Sequence, residues 1–485
     1  MFDLRILADQ PLIKFNRQLP MFNWHYPFHC EDDRLADPCA PFKRVGRVDA
    51  RRRAVYIHIP FCDTICNFCL FQKAKYQSDA DIQHYLNALI AEFGLKRHFM
   101  GSYKVDAIFV GGGTPSVLSP EQIELLGKVI RQSFDLQNLK EFTFEVEVKS
   151  VTRDKLHALQ SIGVNRVSFG AQTFSPKYRA IFSLDATVEQ IQEAAKLINA
   201  MFAYTNVDIL YGMAGQDEEE LYNDADAALR LQTTTIDFYP LNNFAAPRPM
   251  HRAMRKSGLS YLPATTRIQY RRYLDKLLRS RGYAPINGYG YSVADRAEDS
   301  TVVQHAPKFL YHDLIYGYQD DEIIGYGSSA ISQMMGFNLL NTADRSRYVT
   351  QVLEDKALPH EAYGPIASPE RGIVSFPFRG VLEKSRVSWA RLPDETWIAL
   401  QEAMDAGLVI ERSDGYELSP VGWLFYVNLM YYFMPERGKK WITNQIERCQ
   451  SDGRGCGDTD LSGLVDEGDD RSPEAWLRRS NYVSS

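Results

Sequence analysis

In the stretch Tyr56-Ile57-His58-Ile59-Pro60-Phe61-Cys62-Asp63-Thr64-Ile65-Cys66-Asn67-Phe68-Cys69, an apolar segment leads directly into a loop with three cysteines. Three thiolates on one short loop can hold three irons of a four-iron cluster, and the fourth iron then stays open to a small ligand. Zinc normally takes four protein ligands, and no further Cys or His pair lies nearby with zinc-like spacing. We therefore expect a reactive iron–sulfur site at Cys62, Cys66 and Cys69, rather than structural zinc or three unligated thiols.

The composition is that of an ordinary soluble protein. The chain has 485 residues, of which 45% are hydrophobic and 24% charged, and its net charge is -6. This charge argues against a nucleic-acid partner, and no apolar run approaches the ~18 residues that span a bilayer. The first residues lack the features of a signal peptide, and clustered cysteines fit a reducing compartment. We expect a cytoplasmic protein with no membrane contact.

Short apolar runs alternate with longer amphipathic ones from about residue 52 to 245, which predicts repeated βα units. Such units form a parallel sheet with right-handed crossovers, either open or closed as a barrel. Ligand sites collect at the carboxyl ends of the strands, so the cysteine loop and Gly111-Gly112-Gly113 should lie at one edge. The predicted strands are Ala54–Pro60, Val105–Val110, Glu141–Val148, Asn165–Phe169, Asn206–Leu210 and Thr235–Leu241, and the predicted helices are Ala80–Arg97, Pro120–Phe134, Arg153–Ile162 and Val188–Met201.

A second, smaller unit follows a segment rich in Pro, Gly and Ser around residues 359–369. A helix over Asp394–Ala406, a hairpin at Leu408–Ile410 and Tyr416–Leu418, and an apolar helix over Val421–Phe433 suggest a winged-helix-like module. The predicted organisation is an N-terminal segment and candidate lid over 1–50, a barrel over 51–362, a carboxyl-terminal domain over 363–447 and a mobile acidic tail over 448–485.

Several ordered motifs together resemble the radical S-adenosylmethionine (SAM) enzymes of the oxygen-independent coproporphyrinogen III dehydrogenase type. The resemblance runs from roughly Met21 to Pro435. It implies an α/β fold: a partial (β/α)6 barrel of TIM type with a winged-helix-like α+β domain over the opening. It also implies a [4Fe-4S] cluster that cleaves SAM to methionine and a 5′-deoxyadenosyl radical. The motifs are Tyr56–Cys69, Gly111–Pro115, Glu145, Val167–Phe174, Asp208–Gly212 and Gly325–Ser332.

The resemblance also implies roles for single residues. Cys62, Cys66 and Cys69 would bind the cluster, and Tyr56 and Gln172 are the catalytic candidates. The predicted SAM contacts are the backbone cradle Gly112, Gly113 and Thr114, the ribose acceptor Glu145, the adenine neighbour Phe68, and Tyr56, Gln172, Asp208, Ile331 and, more loosely, Asn242 in a pocket for two SAM molecules.

Each of these residues also has a plain structural interpretation. A glycine run after a strand can be a tight turn, and Tyr56 can be ordinary core. Glu145 lies in an alternating strand and can be an exposed acid, while Gln172 and Asp208 can be structural hydrogen-bonding groups. His58 shares a strand face with Tyr56, and we do not expect it to bind iron.

Three departures from the dehydrogenase pattern shape the functional expectation. Phe71 stands where that enzyme has a fourth cysteine, Leu184 replaces an arginine expected at a SAM carboxylate, and 287–291 replaces a histidine-containing segment. These changes favour the class C radical SAM methyltransferases and cyclopropanases, which use a second SAM as C1 donor to an sp2 carbon. The alternatives are oxidative decarboxylation of the coproporphyrinogen III dehydrogenase type, or haem binding and trafficking. Tyr289, Tyr291 and Asp320 are weak candidates for a catalytic base.

The expected partners follow from this chemistry. They are a small organic substrate and an electron donor such as flavodoxin or ferredoxin. The protein itself is expected to be a monomer. The remaining cysteines, Cys30, Cys39, Cys449 and Cys456, are interpreted as ordinary thiols. The sequence does not specify the substrate, because the loops that would select it match no specific pattern.

Overall fold

A computed structural model of the chain describes residues 25–44, 51–241, 247–293 and 309–451. The strands are β1 Arg53–Ile59, β2 Phe61–Cys62, β3 Ala74–Lys75, β4 Tyr103–Lys104, β5 Ala107–Gly112, β6 Phe134–Asp135, β7 Glu141–Val146, β8 Arg166–Gln172, β9 Tyr204–Tyr211, β10 Thr235–Pro240, β11 Tyr283–Pro285, β12 Gly290–Val293, β13 Glu322–Tyr326, β14 Ile331–Met334, β15 Phe337–Asn341, β16 His360–Tyr363, β17 Val381–Glu383, β18 Val409–Glu411 and β19 Gly415–Leu418.

Sixteen α-helices lie among these described residues, with short 3₁₀ turns between some of them. They are Ala40–Arg44, Asp79–Met100, Pro120–Ser133, Arg153–Ile162, Pro176–Phe182, Val188–Met201, Glu218–Arg230, Arg248–Lys256, Ala264–Ser280, Leu310–Ile315, Arg345–Leu353, Arg371–Arg379, Asp394–Asp405, Pro420–Leu424, Tyr426–Tyr432 and Glu436–Ser451. No helix in the described ranges is both long and apolar enough to cross a bilayer.

One twelve-stranded sheet organises the molecule, in the order β11-β12-β10-β9-β8-β7-β5-β1-β13-β14-β15-β16. Seven consecutive strands of this order, from β10 to β13, pair in parallel. The predicted α/β fold with a parallel sheet is confirmed. Within the described residues the end strands β11 and β16 do not pair with each other, so the sheet is not a closed barrel and is compatible with the predicted partial one.

The strand β1 lies inside this sheet, with β5 on one side and β13 on the other. Tyr56 is in register with Phe109 of β5 and with Gly325 of β13. Ala54, Val55 and Ile57 of β1 are fully buried, as expected for a strand that is covered on both faces. The carboxyl ends of the parallel strands form one edge of the sheet, which we call the upper rim.

The predicted helices Arg153–Ile162 and Val188–Met201 are present with the same bounds. Side chains at their first turns explain this agreement, because Thr152 and Thr187 each accept a hydrogen bond from a backbone N–H of the first turn. The predicted helix 421–433 is instead two helices that meet at Phe425, whose φ of -107° and ψ of 25° leave the helical region.

The carboxyl-terminal part contains a three-stranded sheet, in the order β17-β19-β18, with helices on either side in the chain. The predicted hairpin is present, since β18 and β19 pair antiparallel. The expected boundary between 362 and 363 falls within β16, which pairs with β15 of the large sheet. Of the expected tail, 448–451 belongs to the last helix and 452–485 lies outside the described residues.

Residues 25–44 of the N-terminal segment pack against two distant parts of the chain. The Phe28 ring stacks on Trp441 of the last helix at a centroid distance of 4.1 Å. The side chains of Gln333 and Asn338 donate hydrogen bonds to the carbonyl oxygens of His25 and Pro27, respectively, at 3.0 and 2.8 Å. This segment therefore joins the last helix to β14 and β15; the remainder of 1–50, on which the expectation of a lid also depends, lies outside the described residues.

A buried ion pair lies within the long helix after the cysteine loop, and its carboxylate connects that helix to the segments after β13 and β15. Glu92 accepts hydrogen bonds from the backbone N–H of Gly327 at 2.8 Å, from Asn341 at 2.8 Å and from Tyr348 at 2.7 Å, and it pairs with Lys96 at 2.6 Å. Both charged side chains are inaccessible to solvent. Removing one member of such a pair leaves several buried partners unsatisfied.

We expect Glu92→Ala to lower the free energy of unfolding by about 3–5 kcal/mol, the usual cost of breaking a buried ion pair. Urea unfolding followed by circular dichroism measures this loss. The control is Glu124→Ala, which removes an exposed carboxylate from the helix Pro120–Ser133 and should change stability by no more than about 0.5 kcal/mol. Equal effects of the two variants would contradict the role given to Glu92.

Candidate cluster and cofactor site

The three-cysteine loop leaves β1 at the upper rim and is closed by its own pair of short strands. β2 and β3 pair in parallel, with Cys62 opposite Lys75, and the N–H of Ala74 donates to the carbonyl of Pro60 at 2.7 Å. Within the loop, the N–H of Cys69 donates to the carbonyl of Cys66 at 3.3 Å. The three thiols are therefore held on a short loop whose two ends are fixed together.

Neighbouring rim loops hold this cysteine loop in place. The N–H of Thr114, after β5, donates to the carbonyl of Phe61 at 2.6 Å. The Asn67 side chain donates to the carbonyl of Ile181 at 2.9 Å, in the helix that follows β8. Lys73 donates from Nζ to the carbonyl of Cys69 at 2.7 Å, which places a cation beside the thiols.

The environment of the thiols suits ligands that lose their protons to a metal cluster. Burial raises the pKa of Cys66 to about 12 and also raises the pKa of Cys62. The charges of the neighbouring cysteines raise both values further, whereas Lys73 lowers them. Since metal binding deprotonates thiols outright, three buried, adjacent thiols beside one lysine form a donor set that fits a [4Fe-4S] cluster. Within the described ranges no three His, Cys, Asp or Glu side chains converge on a single ion, and a cubane does not require this, because each cysteine binds a different iron.

Most of the predicted site residues line one cavity of about 230 Å³ at the upper rim. The cavity is formed by the loops after β1, β5, β7 and β8 and by the end of β9. The structure thus brings together residues that are far apart in sequence. They are Cys62, Cys66, Phe68, Cys69, Gly112, Gly113, Thr114, Glu145, Gln172 and Asp208.

The glycines after β5 are required by the close approach of neighbouring groups. A Cβ on Gly112 would lie 2.5 Å from the ring of His58, and the φ of Gly112 is +117°, a region that other residues rarely adopt. A Cβ on Gly113 would lie 2.5 Å from the carbonyl oxygen of Phe61. These glycines therefore allow the loop after β5 to pack closely on His58 and Phe61, where any side chain would clash.

Glu145 is not the exposed acid that strand alternation allowed. Its carboxylate accepts a hydrogen bond from the N–H of Gly112 at 3.1 Å. Burial raises the pKa of Glu145 to about 7, and the Gly112 bond opposes this shift. A buried carboxylate with one protein donor retains unused acceptor sites that face the cavity.

Two further carboxyl groups lie side by side on the adjacent strands β9 and β10, where Asp208 and Asp237 are in register. Asn206 donates from Nδ2 to Asp208 at 2.8 Å and to Asp237 at 3.5 Å. Burial raises the pKa of both acids, to about 7 for Asp237, and the charge of Asp237 raises the pKa of Asp208 further. Two adjacent buried carboxyls do not ionise together near neutral pH, so this pair retains a proton. Sequence analysis identified Asp208 and missed Asp237, although both precede the ends of apolar strands.

Gln172 lies at an irregularity in the β8–β9 pairing and has a φ of +68°. Its side chain covers the backbone of Gly170, where a Cβ would lie 2.3 Å from Nε2. Positive φ in a residue other than glycine is uncommon and is often found at functional sites. The irregularity turns the amide of Gln172 toward the cavity wall.

Tyr56 and Ile331 are not among the described residues that line this cavity. The Tyr56 hydroxyl donates to Nδ1 of His58 at 2.9 Å, and Nε2 of His58 donates to the carbonyl of Gln72 at 2.9 Å. His58 is thus neutral, with both nitrogens used, and burial lowers its pKa to about 4. Ile331 lies on β14 next to Gly325, the register partner of Tyr56, and Asn242 lies outside the described residues.

The three candidate bases lie elsewhere. Asp320 forms an ion pair with Arg386 at 2.6 Å. The buried Tyr291 hydroxyl donates to Asp275 at 3.4 Å, and Tyr289 packs against Tyr239 at a ring-centroid distance of 4.3 Å. Their contacts are those of structural residues.

Sequence analysis missed a polar cluster and an arginine at the cavity wall. Lys149 pairs with Asp185 at 2.6 Å and with Asp63 at 3.2 Å, joining three rim loops. Leu184 lines the cavity, as does Arg179 one turn earlier. The Arg179 guanidinium donates to backbone carbonyls, including that of Thr173 at 2.9 Å, so it braces the wall. Only spatial proximity reveals these contacts.

Comparison with known proteins shows a similarity to one superfamily. Residues 56–228 match the family model described as the Radical SAM superfamily. The oxygen-independent coproporphyrinogen III oxidase of Cereibacter sphaeroides is 28% identical over 312 residues, covering 63% of this chain and 67% of that protein. The heme chaperone HemW of Lactococcus lactis is 27% identical over 337 residues, covering 69% of this chain and 82% of that protein.

A solved structure shares the fold. The coproporphyrinogen III oxidase HemN from Escherichia coli superimposes with a TM-score of 0.67 at 22% identity, over 81% of this chain and 92% of that one. At this identity the likeness supports the fold alone. The [4Fe-4S] cluster and SAM predicted from the cysteine loop are the cofactors of this superfamily, and that prediction is confirmed.

The expected C1 transfer, methylation or cyclopropanation with a second SAM as donor, is wrong. The curated relatives described above are coproporphyrinogen III oxidases and heme chaperones. The expectation rested on Phe71, Leu184 and 287–291, and short loop segments vary among relatives more readily than the strands that carry them. Residues 56–228 are therefore similar to the Radical SAM superfamily, and the chain as a whole is similar to coproporphyrinogen III oxidases and heme chaperones.

Proposed function

We propose that the chain is a radical SAM enzyme that acts on a carboxylated tetrapyrrole by oxygen-independent oxidative decarboxylation, the activity of its coproporphyrinogen relatives. The observation that carries this proposal is the single upper-rim cavity, where the three thiols meet Glu145, Gln172 and Asp208. A reducing, cytoplasmic location and a reductant belong to the same proposal, because thiolate-bound clusters are oxygen-sensitive and must be reduced.

Cys62, Cys66 and Cys69 would hold the cluster, which supplies the electron that cleaves SAM to methionine and a 5′-deoxyadenosyl radical. Gly112 and Gly113, which line the cavity and carry no side chain, would let the methionyl end of SAM approach the backbone closely. Glu145 would accept hydrogen bonds from the ribose hydroxyls, since it lines the cavity and has acceptor sites beyond the one that Gly112 uses.

The neighbouring acid pair supports a polar substrate below the cofactor cavity. Asp208 lines the cavity and shares Asn206 with Asp237. Because the pair retains a proton, one carboxyl can donate and the other can accept a hydrogen bond. Such a pair would fix the orientation of a ligand that carries both donors and acceptors, as the pyrrole N–H groups and carboxylates of a tetrapyrrole do.

Aromatic side chains pack together near Glu145, which lines the cavity: a Cβ on Gly111 would lie 2.6 Å from Phe109 and 2.7 Å from Glu145. Phe109 stacks on Tyr311 at 4.6 Å, and both flank Tyr56. Hydrogen abstraction by a carbon radical requires a C–H bond held in place and kept from solvent. These aromatic side chains, together with the cysteine loop held by its neighbours, support hydrogen abstraction from a bound substrate.

A second candidate function is haem binding and trafficking. Phe71 takes the place of the fourth cysteine, as in the haem-chaperone branch. Two heme chaperones match over 82% and 86% of their own length, against 67% for the Cereibacter oxidases. These two observations favour the chaperone alternative over any other binding role.

We expect anaerobically reconstituted protein, given SAM, a reductant, an electron acceptor and coproporphyrinogen III, to release 5′-deoxyadenosine and carbon dioxide without S-adenosylhomocysteine. For each propionate, the 5′-deoxyadenosyl radical takes one hydrogen atom, and the acceptor takes the remaining electron as carbon dioxide leaves. Cys69→Ala should lose the brown chromophore and both products, whereas Cys30→Ala, which changes an exposed cysteine, should keep them. Chromatography and carbon dioxide trapping make the measurement. Stoichiometric haem binding without any product would replace the enzyme proposal by the chaperone alternative.

Glu145 provides a test that depends on pH. Its folded-state pKa, about 7, lies above the ordinary value of 4.5, so folding favours the neutral form. The stability that this preference provides is complete below about pH 4.5 and is lost as the pH rises through about 7.

Glu145→Gln keeps the size of the side chain but cannot ionise. We expect it to be increasingly more stable than the natural protein between about pH 5 and about pH 8, by up to about 3 kcal/mol. Urea unfolding of the cofactor-free protein at several pH values measures the difference. A difference that does not change with pH would show that Glu145 has an ordinary pKa.

A further inference from the structure

The outer side of the cysteine loop presents a cluster of exposed apolar side chains. Six large apolar residues are exposed in the described part of the chain, and three of them lie on this loop. Ile65, Leu70 and Phe71 are 40%, 47% and 52% exposed. Scattered single apolar residues on a surface need no explanation, but a contiguous patch marks an interaction site.

These side chains line an open groove of about 510 Å³ that also contains Cys69, Lys75 and Arg248. Cys69 lines the cofactor cavity as well. The groove is therefore the place where a predicted ligand of the cluster lies next to the outer surface. We call this groove and its surroundings the loop-side face.

A basic helix borders the loop-side face. The helix Arg248–Lys256 contains no acidic residue, and Arg248, Arg252 and Arg255 are spaced i, i+4 and i+7, which places them on one side of the helix. All three are exposed. Among the described residues none of the three forms a salt bridge, which is notable in a chain whose net charge is -6.

The opposite side of this helix fixes it to the cysteine loop. Met250 and Met254 are buried in a small apolar cluster, and Phe68 of the cysteine loop packs against that cluster. The basic residues and the apolar groove therefore belong to one rigid surface, and the packing of the helix does not require its arginines.

We propose that the loop-side face is the docking site of an acidic electron-transfer protein, with Ile65, Leu70 and Phe71 at its centre and Lys75, Arg248, Arg252 and Arg255 around them. An apolar centre with a charged border is the usual anatomy of a transient interface. The positive border complements an acidic partner and steers its approach.

This inference rests on the proposed function, because it supplies the electron that SAM cleavage consumes. The partner loses one electron for each SAM molecule that is cleaved. An electron crosses between proteins only when the two redox centres approach closely, and on this face Cys69 separates the cavity from the groove.

The test compares two reductants, with the rate of 5′-deoxyadenosine formation as the readout. Reduced flavodoxin is the acidic protein donor, and reduced methyl viologen is a small cationic donor that needs no docking surface. The test variant combines Lys75→Glu, Arg252→Glu and Arg255→Glu, all exposed and outside the cofactor cavity. The control variant makes the same change of charge at Lys128, Arg131 and Lys196, exposed residues of the helices Pro120–Ser133 and Val188–Met201.

With flavodoxin at low salt, we expect the test variant to lose at least about tenfold in rate at limiting donor, because steering by charge contributes this much or more. The natural protein should also slow as salt is added, and the test variant should respond little. With methyl viologen the test variant should be no slower than the natural protein. The control variant should match the natural protein with both donors.

A test variant that keeps the natural rate with flavodoxin would overturn the docking site. So would a natural protein that is dimeric in sedimentation experiments and becomes monomeric with the same substitutions, because a second copy would then cover this face. Absence of 5′-deoxyadenosine from the natural protein with methyl viologen would instead overturn the proposed function.

Discussion

The structure depends on the parallel pairing of β1 with a strand on each side. This pairing places β5 and β13 beside β1 in fixed register, with Tyr56 opposite Phe109 and Gly325. The loops that follow β1 and β5 must then leave the sheet at the same edge. The cysteine loop and the glycine segment are adjacent for that reason, and not because they attract each other. Backbone hydrogen bonds therefore determine which side chains can meet.

Burial of acidic groups is the main energetic cost of the arrangement. Glu145, Asp208 and Asp237 all have pKa values raised by desolvation. The folded protein therefore favours their neutral forms, whereas water at neutral pH favours the charged forms. Few protein donors compensate them: the N–H of Gly112 for Glu145, the Asn206 amide for the two aspartates, and the Tyr239 hydroxyl for Asp237. Glu92, by contrast, has three hydrogen-bond donors and a lysine. Glu92, which joins the helix Asp79–Met100 to the sheet, therefore has partners for its carboxylate, whereas Glu145 and Asp208 at the cavity keep unused acceptor sites for a ligand.

The sequence was sufficient for the parallel sheet, two helices with the same bounds and the common edge of the cysteine and glycine loops. These features depend on local periodicity, on capping threonines such as Thr152 and on the conformational freedom of Gly112. It was insufficient for contacts made across the sheet. Nothing in the local pattern places Asp237 beside Asp208, or Lys149 beside Asp185 and Asp63. The predicted functional class was wrong for a related reason. It relied on Phe71, Leu184 and residues 287–291, and the sequence does not show which groups surround these positions.

The short β2–β3 pairing has a consequence for how the cysteine loop is ordered. This pairing closes the cysteine loop with backbone hydrogen bonds alone, and Tyr56, His58 and Gln72 add a second closure that involves no thiol. None of these contacts uses a thiol, so they do not depend on the cluster that the cysteines would hold. The free energy that orders the loop therefore comes from the polypeptide, and a cluster would bind to cysteines already held on one loop.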